Sequence, residues 1–115
     1  MGIGIELISS IQIVGETAVY TGGTNYAIKI LELLTKEKNN REFNIVLFLP
    51  SGYENISSHG LKIDSNKVII KYATDITECE CEDLNVFFSP QVNGTTLRKL
   101  PKLKKKYPEL KLCAT

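Results

Sequence analysis

The sequence has no tryptophan, a single histidine, a single methionine and only three cysteines among 115 residues. A low, odd cysteine count excludes a disulfide-stapled scaffold and points to a reducing, cytoplasmic setting. Cys79 and Cys81 stand one residue apart, too close for a C-x-x-C zinc or redox pair, and no second pair exists. No metal site and no resident cofactor are therefore expected. Cys113 falls in the last apolar run and is assigned to the core. His59 lies in a polar loop beside Gly60 and reads as a surface residue. A Ser-His-Asp order, a nucleophile elbow and a Walker loop are all missing, so no catalytic residue is assigned.

Long apolar runs are also lacking. None approaches the ~18 residues that span a bilayer. The N-terminus has no basic segment and carries Glu6 inside its apolar run, which argues against a signal peptide. Charge of one sign is not in excess either: 14 Lys+Arg face 13 Asp+Glu, a net charge of +1. Such a chain has no global field to gather nucleic acid, and any electrostatic partner must be read by a local patch.

What is present is an ordinary globular composition, 43% hydrophobic and 23% charged, in a length that suits one domain, 1–115. Apolar runs at 3–8, 43–49, 68–72, 84–88 and 110–114 read as buried strands. Residues 9–22 read as a long loop. Ala27, Ile30, Leu31 and Leu34 recur at the spacing of one buried helical face, predicting a helix from Gly23 to about Lys38, ended by Asn39-Asn40. Leu97, Leu100 and Leu103 predict one helix or two short ones over 95–107, with Pro101 as a break point. Residues 73–83 are acidic and read as irregular. Continuous apolar strands separated by helices imply an α/β fold: a Rossmann-like, mostly parallel sheet of about five strands with helices packed on it. Ligands of such sheets sit outside the carboxyl ends of the strands, which singles out loops 9–22, 50–58 and 89–95.

Two constellations carry chemistry. Thr21-Gly22-Gly23-Thr24-Asn25-Tyr26 opens the first helix. Glycines admit a ligand close to the backbone, and free N–H groups at a helix start favour an anion such as a phosphate or a sugar diphosphate. The same residues also serve as a turn and helix cap. Arg98, Lys99, Lys102, Lys104, Lys105, Lys106 and Lys111 form a basic run interleaved with leucines. This run is either a solvated outer face or a peripheral contact with anionic lipid at the inner membrane face.

The order of parts resembles the N-terminal part of a GT-B glycosyltransferase of the retaining group 1 kind. Gly22, Gly23 and Tyr26 stand where that family has Gly-Gly-x-x followed by an aromatic or arginine. Phe43 to Pro50 is similar to its second strand, which ends in proline. Asp83 to Ser89 is similar to a later strand, with Phe87 and Ser89 where histidine is common. Lys111 to Thr115 is similar to the strand that runs into a His-Asp or His-Gly pair in that family. The resemblance implies an acceptor-side domain of a two-domain enzyme that transfers a sugar from a nucleotide donor with retention. It places Gly22, Gly23 and Thr24 at the donor diphosphate, and Gly15, Thr21, Tyr26 and Ser89 on the acceptor side, where a saccharide or lipid-linked acceptor binds. The chain would then be one part of a longer enzyme, inactive alone. With few helices to cover five strands, self-association is expected. The alternatives are a flavodoxin-like phosphate- or flavin-binding domain, and a non-catalytic α/β interaction domain.

Overall fold

The computed structural model describes residues 2–38, 42–56, 67–90 and 93–114. Asn39, Asn40 and His59 lie outside them. In chain order the elements are β1 (Gly2–Glu6), β2 (Ile11–Val14), β3 (Thr17–Tyr20), α1 (Gly22–Lys38), β4 (Asn44–Pro50), β5 (Ile69–Ala73), β6 (Val86–Ser89), α2 (Gly94–Lys106) and β7 (Lys111–Ala114). Short 3-10 turns occupy Tyr53–Asn55 and Ile76–Glu78.

Five strands form one sheet in the order β5-β4-β1-β6-β7, and every neighbouring pair is parallel. The chain starts in the middle, steps outward through β4 to β5, then crosses back to β6 and β7. This is an α/β, Rossmann-like fold. The direction of winding reverses between β1 and β6. A crevice opens at such a reversal because the connections leave toward opposite faces.

Alternation along the strands sends residues to two cores. Ile5, Leu7, Ile45, Leu47 and Leu49 pack with Ala27 and Leu31 of α1 on one face. Val46, Phe48 and Phe87 pack with Leu100 and Leu103 of α2 on the other. Gly4 makes room for its neighbours: a Cβ there would stand 2.7 Å from Leu84 Cδ1 and 3.2 Å from Phe48 Cε2, so Leu84 would have to shift.

Three expectations need correction: the loop at 9–22, the burial of Cys113 and the burial of Leu97. Residues 11–20 are an antiparallel hairpin, not a loop, with Ile11 facing Tyr20 and Val14 facing Thr17. Gly15 takes a φ of 62° at its turn, the left-handed backbone that glycine adopts without steric cost. The acidic stretch is irregular, as expected: after the 3-10 turn at Ile76–Glu78 it forms a strap over the second face, with Cys79 and Cys81 buried and Glu80 and Glu82 exposed. That strap packs with Val46 and Phe48 of β4 and Ala73 of β5. Cys113 is exposed, because β7 is an edge strand with little packed over it. Of one helix or two over 95–107, the structure has one: α2 runs through Pro101. Pro101 and Leu97, whose carbonyl loses its N–H partner there, are both exposed, so water can replace the missing bond. The buried stripe is accordingly Thr96, Leu100 and Leu103, with Leu97 on the outside.

Candidate functional site

At the carboxyl end of β1, Glu6 is fully buried on the α2 side of the sheet. Its neighbour across the strand pair is Ser89, the last residue of β6, also fully buried. Ser89 Oγ donates to Glu6 Oε1 at 2.6 Å. The Ser9 amide donates to Oε2 at 3.0 Å, and the Ser9 hydroxyl donates to Oε1. Burial pushes the carboxyl above its ordinary range, against the opposing pull of these hydrogen bonds. A buried carboxyl satisfied by three donors thus lies at the point where the sheet reverses.

Ser9 also lines a cavity of about 270 Å³. Its other polar walls are Thr74 and Asp75, after β5, and Asn93, Thr96 and Lys99, at the start of α2. Asn93 and Thr96 cap the helix reciprocally. The Thr96 amide donates to Asn93 Oδ1 at 3.0 Å, and the Asn93 amide donates to Thr96 Oγ1 at 2.8 Å. Lys99 Nζ meets Asp75 Oδ2 at 2.6 Å. Asp75 Oδ1 also accepts from the amide and hydroxyl of Thr77, each at 3.0 Å. Partial burial raises the Asp75 carboxyl, but Lys99 and Thr77 outweigh it and hold the group below its usual range.

On the opposite face, the hairpin returns the chain to its starting point. The Thr21 amide donates to the Ser10 carbonyl at 3.0 Å, and Thr24 Oγ1 donates to the same oxygen at 3.2 Å. The first turn of α1 therefore sits beside the end of β1, although ten residues of hairpin intervene. Ser10 Oγ is buried and has no hydrogen-bond partner among the described residues. Gly22 is exposed, and a Cβ added there would meet nothing within 4 Å. Packing therefore does not require glycine at this position.

The structure joins some sequence-predicted residues and separates others. Thr21 and Thr24 meet at the Ser10 carbonyl, with Gly22 and Gly23 between them in the chain. Tyr26 is 47% exposed, and its ring lies 6.0 Å from that of Phe88, the residue before Ser89. Gly15 stands apart at the hairpin turn. Of the basic run, Lys99 is paired with Asp75, the Lys104 ammonium donates to the Leu110 carbonyl, and Lys106 lies 5.5 Å above the Tyr107 ring. Arg98, Lys102 and Lys105 face solvent.

Sequence reasoning missed Glu6, Ser9 and Ser10. Their signal was a lone carboxylate ending a buried apolar strand, followed by two serines. Cys79 and Cys81 are not nucleophile candidates. Burial pushes the Cys79 thiol far up and the Cys81 thiol to about 11, so both stay protonated at neutral pH. Among the described residues no group of acidic, histidine and cysteine side chains could hold a metal, and no helix is long and apolar enough to cross a membrane. No known protein family, curated protein or solved structure matches the chain.

Proposed function

We propose that the chain is the acceptor-side domain of a retaining GT-B-type glycosyltransferase, and that the first turn of α1 receives the diphosphate of a nucleotide-sugar donor. One observation carries the reading: the hairpin closes on Ser10 and delivers Gly22, Gly23 and Thr24 to the carboxyl end of the central strand. Backbone N–H groups at a helix start favour an anion, and the glycine pair leaves room for it. Thr21 and Tyr26 flank this turn, and Ser89 ends the neighbouring strand.

Strand order favours this over the flavodoxin-like alternative. In that fold the first strand lies second from an edge, whereas β1 here has two strands on each side. As one domain of a two-domain enzyme, the chain is expected to bind donor without turning it over. Titration calorimetry with UDP- and GDP-sugars tests the assignment. A sugar nucleotide that binds the chain and fails to bind Gly22→Val supports it. Affinity unchanged by that substitution, or no binding to either protein, refutes it and leaves the non-catalytic interaction domain.

A further inference from the structure

The outer face of α2 carries an unspent feature. Leu97, expected in the core, is 59% exposed. Pro101 follows one turn later on the same side and is also exposed. Arg98, Lys102 and Lys105 run alongside at helical spacing, all exposed. The helix contains no acidic residue. The acids of the neighbouring strap meet α2 along a different side: Asp75 takes Lys99, and the Tyr107 hydroxyl reaches Glu82 at 3.5 Å. Arg98, Lys102 and Lys105 have no acidic partner among the described residues. Arg98 Nε donates only to the Gly94 carbonyl of its own helix.

We infer that this face docks on the surface of an anionic lipid bilayer. Three free cations supply attraction to lipid phosphates within a Debye length. The exposed leucine and proline supply an apolar wedge beside them that reaches below the headgroups. The wedge is what selects lipid over nucleic acid, since a phosphate backbone rewards the cations and offers nothing to Leu97. The chain's net charge of +1 makes the attraction local, so it orients the protein with α2 toward the membrane. This inference is independent of any donor at α1, which lies on the other face of the sheet.

Flotation of the full chain with vesicles tests it, using phosphatidylcholine alone and phosphatidylcholine with roughly one-third phosphatidylglycerol. Partitioning is expected only with the anionic vesicles, weakening as salt rises. Arg98→Gln, Lys102→Gln and Lys105→Gln should each lower it about fivefold, and the triple variant about a hundredfold. Leu97→Ser should lower it several-fold without changing its salt dependence. All four positions are exposed, so the variants should keep the circular dichroism of the parent. Three results overturn the inference: equal partitioning on neutral vesicles, no partitioning on either, or full retention by Leu97→Ser combined with displacement by duplex DNA at equal phosphate concentration.

Discussion

Ser89 Oγ donates to Glu6 Oε1 at 2.6 Å across the two strands at which the sheet reverses direction. Neither group is exposed, so Ser89 relies on Glu6 for its acceptor, and Glu6 Oε1 divides its hydrogen bonding between Ser89 and the Ser9 hydroxyl. Removing the serine takes one of three donors from a buried carboxyl. Ser89→Ala should therefore cost about 1–3 kcal/mol in urea unfolding. A loss under about 0.5 kcal/mol would mean that water or another donor replaces the serine.

The pH dependence follows from the direction of the Glu6 shift. Its folded carboxyl is raised above its ordinary 4.5 by burial. The folded state therefore holds the proton more tightly than the unfolded chain does. The Glu6 contribution to stability is complete below the unfolded value and is lost as pH rises through the folded one. Asp75, lowered from 3.8, acts in the opposite sense, and its contribution is lost as pH falls through its folded value. Glu6→Gln isolates the first effect. The stability of wild type minus variant should decline as pH rises above 4.5, whereas a flat or rising difference would reverse the sign argued here.

Much of the fold was readable because apolar continuity and apolar spacing are local signals. The run from Phe43 to Pro50 announces β4, and Ala27 with Leu31 announces the buried side of α1. The hairpin was not readable. Its strands are four residues each, and Gln12, Glu16 and Thr17 interrupt any apolar pattern. The strap at 78–82 is irregular, as its composition suggests, but its packing was not readable because the inward residues are cysteines rather than branched aliphatics. The candidate site was half readable. Glycines at a helix start are a local pattern, but the Glu6–Ser89 contact spans 83 positions and exists only through strand register.

The Asp75–Lys99 pair links the turn after β5 to α2 while about one-third exposed. Lys99→Ala should cost at most about 1 kcal/mol and less in high salt. Asp75→Ala also removes the cap of the 3-10 turn, where the Thr77 amide donates to it at 3.0 Å. It should cost about 1 kcal/mol more than Lys99→Ala. Equal costs would show that the cap contributes nothing.

Gly4 and Gly22 should respond oppositely to alanine. Gly4→Ala drives a Cβ against Leu84 and Phe48 and should destabilise by about 1–3 kcal/mol. Gly22→Ala meets open space at the first position of α1 and should be neutral or stabilising by up to about 1 kcal/mol. Thermal unfolding of both variants checks the pair. A destabilised Gly22→Ala would give that glycine a structural reason and weaken the case for a ligand.

The most direct test of the account maps amide shifts by NMR while a UDP- or GDP-sugar is titrated into the chain. The largest changes are expected at Ser10, Gly22, Gly23 and Thr24, with smaller ones at Thr21 and Tyr26. Changes confined to other residues, or a spectrum unmoved by every nucleotide sugar, would contradict it.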